Sequence, residues 1–266
     1  MKVLPKIIHT LELFGNDATL EFAEIVRRTG LSRSNAAHIV SALCANGLLE
    51  KSAYGQYRLG PRLFELTGGN RQHSQLLMLA ERSASGIAGM LHELGVVIGF
   101  WRNRRITLAK VQPESMVQLS IADRWFDKSG WYCHSGGRLL LALQPDAIVD
   151  AIVSEVGPPA PEAWPEAASE AGLRREIARI RQQRQVVMQR ENGRITSLAV
   201  PVQDAGGYDS LCVSTVYITG HRQAGDADTI ARLQEVAADF SAQLIFHHIV
   251  VNRIIPSEPT PGAAES

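Results

Sequence analysis

Apolar residues recur at helical spacing from the start of this chain. Over residues 5–14, Ile7, Ile8, Leu11 and Phe14 share one face, and Gly15-Asn16-Asp17 breaks the pattern. A second helix is predicted from Phe22, with Phe22, Ile25 and Val26 on its apolar side. Arg27 and Arg28 lie near its end, where cations complement the helix dipole. Gly30 stops it, and Ser32 is positioned to cap a third helix. In that helix Ala36, Ile39, Val40 and Leu43 form a core stripe, whereas Arg33, Ser34, Asn35 and His38 face elsewhere. The pattern then changes to strands over 48–52 and 57–59, turned by Ala53-Tyr54-Gly55-Gln56 and closed by Gly60-Pro61. Three helices and a hairpin in this order read as a winged helix-turn-helix, and the polar early turns of the third helix offer the donors and acceptors that base edges require.

A short helix over 62–67 leads into a polar run, 68–74, read as the interdomain joint. Beyond it Leu77, Ala80, Ala84, Ile87, Leu91 and Leu94 are spaced alternately by three and four. Such a helix either faces the core of a second domain or also pairs subunits. Strands follow at 96–101, 106–112 and 116–122, the first two joined at Asn103-Arg104-Arg105. Helices are predicted at 137–143, 146–156 and 173–184, and strands at 186–189, 195–202 and 210–217. A final helix carries Ile230, Leu233, Ala237, Phe240 and Leu244, and Pro158, Pro159, Pro161 and Pro165 mark an irregular connection. The class is therefore α+β. The expected domains are a DNA-binding domain at 1–67, a linker helix region at 68–94, an effector-binding and oligomerisation domain at 95–251 and a disordered tail at 252–266.

Composition changes this picture in two places. The 266 residues carry no net charge, yet the first 62 hold 8 Lys and Arg against 5 Asp and Glu, a balance of +3, and the remainder is −3. The asymmetry points the same way as the helix-turn-helix. Cys44, Cys133 and Cys212 are far apart and odd in number, and the N-terminus is not signal-like, so a reducing cytoplasmic setting without disulfides is expected. Apolar runs are interrupted before they could cross a bilayer, so no membrane partner is expected.

Two regions resemble bacterial transcription regulators of the isocitrate lyase regulator (IclR) family. Arg28-Thr29-Gly30-Leu31-Ser32-Arg33-Ser34 and Tyr57-Arg58-Leu59-Gly60-Pro61 are similar to its helix-turn-helix and wing-exit segments, and 133–142 with 197–216 resemble its effector domain. The resemblance implies a GAF or profilin-like domain, with a six-stranded antiparallel sheet flanked by helices, that holds a small organic acid. It also implies operator DNA as partner and assembly as a homodimer or homotetramer. Phosphate contacts would fall to Arg27, Arg28, Lys51 and Arg58, base reading to Arg33, Asn35 and His38, with Ser32, Ser34 and Tyr57 beside them.

The acid would sit at Ser135-Gly136-Gly137-Arg138, which resembles the family's Ala-x-Gly-Lys segment. Unpaired amides at a helix start carry partial positive charge, and glycine permits close approach, so a carboxylate suits Ser135 and Gly136. Met188 stands where the family has Asp, Ser197 where it has Cys, and Ser214 and Val216 where it has paired serines. Trp125, Phe126, Trp131 and Tyr132 crowd the preceding segment, either as core or as the wall of a pocket for an aromatic acid. Fewer polar partners imply a more apolar effector than glyoxylate or pyruvate.

An enzyme is the competing class. Cys133 and His134 are adjacent, as are His247 and His248, so neither pair shares a strand or helix face, and no metal, nucleotide or hydrolase motif occurs. No catalytic residue, metal or cofactor is therefore expected. A ligand sensor that has lost operator binding is the other alternative.

Overall fold

The computed structural model describes residues 3–15, 19–52, 54–68, 71–101, 103–113, 130–219 and 227–251. The chain divides into two compact units, Met1–Ser74 and Gln75–Ser266.

In the first unit, α1 (Val3–Glu12) runs into a 3-10 turn at Leu13–Gly15. A two-residue strand, β1 (Leu20–Glu21), precedes α2 (Phe22–Thr29), and α3 (Arg33–Ala45) follows. Gly30 makes the reversal between α2 and α3 possible: its φ of +65° lies in the left-handed region, and its N–H closes α2 on the Val26 carbonyl. Ser32 caps α3, its hydroxyl accepting from the Asn35 amide at 3.4 Å. Ala36, Ile39, Val40 and Leu43 are buried, as their spacing predicts, and the last three pack with Phe14, Leu20, Ile25 and Leu49. The wing is β2 (Leu49–Lys51) paired with β3 (Gln56–Leu59), Lys51 facing Tyr57 and Glu50 facing Arg58. β1 adds to the other edge of β3, a pairing that sequence periodicity did not indicate. α4 (Arg62–Gly68) follows.

α5 (Arg71–Leu91) includes the polar residues 71–74 that the sequence assigned to a joint. Its buried face is Leu76, Leu79, Ala80, Ala84, Ile87 and Leu91, whereas Leu77 is only half-buried. Leu94 does not continue this helix; it begins β4 (Leu94–Trp101), which turns into β5 (Arg104–Val111). The predicted strand at 116–122 lies outside the described residues.

The second unit continues through α6 (Gly130–Cys133), α7 (Ser135–Leu143), α8 (Asp146–Val156), a 3-10 turn at Pro165–Ala167 and α9 (Glu170–Gln183). β6 (Val186–Arg190), β7 (Ile195–Val202), β8 (Leu211–Ile218) and α10 (Ala227–Phe246) complete it. Among the described residues the sheet has five strands, ordered β5-β4-β8-β7-β6, with every adjacent pair antiparallel. Alternation along each strand feeds two cores. Val96, Ile98 and Phe100 of β4 pack with Leu139, Val149 and Ile177 of α7, α8 and α9, whereas Val97 packs with residues of α5 and α10 such as Ile87 and Phe240. The unit is thus helices, sheet, helices in three layers. Among the described residues no helix is long and apolar enough to cross a membrane.

Candidate functional site

The first turns of α3 present Arg33, Ser34, Asn35 and His38 to solvent, because the buried positions of the helix fall on its other side. Ser32 is exposed too, but its hydroxyl is engaged in the cap.

The cations around this face are held in place by their neighbours. Arg27 donates to both oxygens of Glu24, at 2.9 and 2.5 Å, and this bond is the main reason the Glu24 carboxyl lies below its ordinary pKa. Arg28 is half-buried on the same helix. Arg58 donates to Glu50 across the wing at 2.8 Å.

Lys51 lies 5.8 Å over the Tyr57 ring, Tyr57 meets Phe22 at 6.5 Å, and the Arg33 guanidinium lies 5.6 Å over Phe22. This cation-aromatic ladder runs from the wing to the start of α3. Sequence reading placed Phe22 in the core and missed this second role, as it missed the two carboxylates. It also passed over Tyr54, 93% exposed in the wing turn.

In the second unit, a cavity of about 30 Å³ lies where α7 begins. Ser135 and Gly136 line it from α7, Ser197 from β7 and Ser214 from β8, so four of the seven predicted effector positions meet there. Val96, Ile98 and Val216 supply its apolar wall, and Arg105 and His134 complete it. Ser197 is 8% exposed, and its hydroxyl has no hydrogen-bond partner among the described residues. Arg105 was missed because it reads as a turn residue in sequence; β5 instead begins at Arg104 and carries it into the sheet.

Gly136 is required for this approach. A Cβ there would come within 2.5 Å of Ile98 Cδ1 and 3.1 Å of Cys212 Sγ. One at Gly137 would lie 2.2 Å from the Gly130 carbonyl oxygen. Burial pushes the Cys212 thiol up to about 12, so behind the cavity it is a neutral packing group.

The remaining predicted positions lie elsewhere. Trp131 is buried against Phe100, ring centroids 6.1 Å apart, and Tyr132 against Trp164, so these two aromatics are core and do not line the α7 cavity. Met188 is buried in the same core and borders a different, larger cavity. Trp125 and Phe126 lie outside the described residues. Arg138, the fourth residue of the Ser-Gly-Gly-Arg segment, turns away from the cavity. It donates to the carbonyls of Tyr132 at 2.8 Å and Ala163 at 2.5 Å and stacks on Trp164 at 4.4 Å. Desolvation lowers its pKa to about 10, so it is still a cation at neutral pH. Among the described residues no cluster of His, Cys, Asp and Glu could hold a metal ion.

Residues 4–53 match the model of the IclR helix-turn-helix domain. That segment is a helix-turn-helix domain of the IclR type. Arg27 to Lys51 of the predicted interface fall inside the matched segment, and Tyr57 and Arg58 lie beyond it.

Solved structures share the fold over nearly the whole length. An IclR homologue from Microbacterium hydrocarbonoxydans, in complex with 4-hydroxybenzoate, is 24% identical and superposes with a TM-score of 0.68 over 91% of this chain and 99% of its own. The IclR transcriptional regulator from Alicyclobacillus acidocaldarius is 19% identical, with a TM-score of 0.64 over 91% of this chain and 98% of its own. For Thermotoga maritima IclR the identity is 20% and the TM-score 0.59, over 92% and 97% of the two chains. No curated protein matches the chain significantly.

Proposed function

We propose that this IclR-type chain binds operator DNA through α3 and the wing as a homodimer or homotetramer, and that a small organic acid at the start of α7 modulates the binding. The observation that carries the DNA reading is the exposed polar start of α3 within the matched helix-turn-helix. Arg33, Asn35 and His38 read base edges, while Arg27, Arg28, Lys51, Tyr57 and Arg58, with Ser32 and Ser34, contact phosphate and sugar. One such domain covers too little DNA for tight operator recognition, so symmetric pairing supplies a second half-site. A cytoplasmic location follows from that role.

The acid reading rests on the α7 cavity. The first amides of α7 have no intrahelical acceptor, and Ser197 offers a hydroxyl with no partner among the described residues. Arg105 adds a guanidinium to the same wall. Val96, Ile98 and Val216 would face the apolar part of the ligand, so a benzoate-like acid fits the lining better than glyoxylate or pyruvate. The 4-hydroxybenzoate held by the Microbacterium homologue supports that class. A benzene-sized guest needs about 150 Å³, against about 30 Å³ in this structure. The cavity must widen to admit it, and a ligand that selects the wider form is a lever for regulation.

A gel shift on DNA upstream of the chain's own gene tests the reading. Binding at low salt is expected; Asn35→Ala should change sequence preference, whereas Arg58→Ala should weaken all sequences alike. Absence of any shift at low salt would leave a ligand sensor without an operator.

A further inference from the structure

A second cavity of the second unit lies apart from the start of α7. Its volume is about 880 Å³, and it shares no lining residue with the small cavity described above. β6, the turn that follows it, α9 and the connection before the Pro165–Ala167 turn form its walls, with Arg138 reaching in from α7. Both signs of charge line it: Arg138, Arg179 and Arg190 against Glu162, Glu166, Glu176 and Glu191.

What sets this lining apart is an ion pair that does not close. Arg104, Arg174, Arg181, Arg184 and Arg232 elsewhere in the unit, and Arg179 in the lining itself, each meet a carboxylate directly, at 2.6 to 3.0 Å for five of the six. Arg138 does not, although it is 9% exposed. Its Nε and Nη2 donate to carbonyls, and its Nη1 makes no hydrogen bond among the described residues. Glu166 is the carboxylate that most favours its charge, yet the two form no salt bridge. At the rim, Arg190 donates a single bond, to the Cys133 carbonyl at 3.2 Å, and keeps its other donors. A buried guanidinium with an unused donor, opposite a carboxylate it does not reach, leaves room for a molecule carrying both charges a few ångströms apart. A simple carboxylate would meet Glu166, and a simple amine would meet Arg138.

We propose that this cavity binds a zwitterion of the free α-amino-acid type, its carboxylate on Arg138 and Arg190 and its ammonium on Glu166. The ligand site is separate from the acid site at α7, so the chain reads two kinds of small molecule. The volume is larger than the head group needs, and the side chain extends along Val187, Met188 and Gln189.

Isothermal titration of the full chain with the proteinogenic α-amino acids tests this. At least one should bind at about 1 mM or below, and its N-acetylated form, which lacks the ammonium, should bind about tenfold more weakly or not at all. Glu166→Gln and Arg190→Gln, both at exposed positions, should each weaken binding by about tenfold with unchanged circular dichroism. Ser197→Val, in the other cavity, should leave it unaltered. Silence with every amino acid, or binding indifferent to both rim substitutions, overturns the proposal. Binding lost only in Ser197→Val would place the ligand at α7 instead. The acid reading has its own readout in the same variants, because Ser197→Val should impair a benzoate-type acid and Glu166→Gln should not.

Discussion

Arg27 and Arg58 each hold a carboxylate, Glu24 and Glu50, that a DNA phosphate would have to displace. The gain from contacting phosphate is therefore a difference between two ion pairs, and removing the intramolecular partner should strengthen DNA binding. Glu50→Gln is expected to raise affinity about two- to fivefold at low salt, with the gain fading as salt screens the charges; fluorescence anisotropy would show it, and a loss of affinity would contradict it. Acid does not open the Arg27 pair within the usual assay range. A depressed carboxyl pKa contributes stability above its ordinary value and loses it only as pH falls through the lowered one. Glu24, lowered from 4.5 chiefly by Arg27, stays ionised from pH 5 to 8. Affinity should therefore show no step from this group there. The ladder of Lys51, Tyr57, Phe22 and Arg33 makes a further claim. Phe22→Leu keeps an apolar side chain in the half-buried position but removes the ring that steadies Arg33. Its operator should bind several-fold more weakly, consistent with about 1 kcal/mol for such a contact, while the melting temperature moves little.

At the scale of elements, α7 is the piece on which the second unit turns. Its N-terminus approaches β4 and β8 only because Gly136 has no side chain. Gly136→Ala must move Ile98, at a cost of about 1–3 kcal/mol, and should abolish acid binding while DNA binding persists; retained acid affinity would contradict the cavity. Arg138, one turn on, ties α7 to the segments on either side through two carbonyls. Arg138→Met leaves those carbonyls without their donors and should lower unfolding free energy by roughly 2–3 kcal/mol in denaturant titration.

Such local features were unevenly legible in the chain. Helical periodicity found α2, α3 and the core face of α5, because those patterns repeat over several turns. It could not find β1, two residues long and defined only by pairing with Gln56 and Tyr57. It carried α5 one repeat too far, since Leu94 keeps the helical spacing while starting a strand. Ser135, Gly136, Ser197 and Ser214 were reached through family resemblance, whereas Arg105 looked like a turn residue until the β4–β5 register placed it at the cavity. Aromatic residues before α7 fit core and pocket equally well by composition. Packing of Trp131 on Phe100 decided for core in that case.

At the scale of the whole molecule, the proposed switch joins two units that are each intelligible alone: a helix-turn-helix that displays a polar helix start, and a three-layer unit with a small cavity at α7. If an acid alters operator affinity, linkage requires the operator to alter acid affinity by the same factor. The opening needed for a benzoate-sized guest identifies the conformational change that would carry the coupling. Substitutions that only enlarge the α7 cavity, such as Ile98→Val, should therefore tighten acid binding without touching the DNA face. The most direct measurement is a titration of the full chain with labelled operator DNA, at fixed salt, with and without 4-hydroxybenzoate or a related aromatic acid. Salt-sensitive, saturable binding is predicted, with the midpoint displaced by the aromatic acid and unmoved by it in Gly136→Ala. An identical midpoint with every acid tried, or no DNA binding even at low salt, would contradict it.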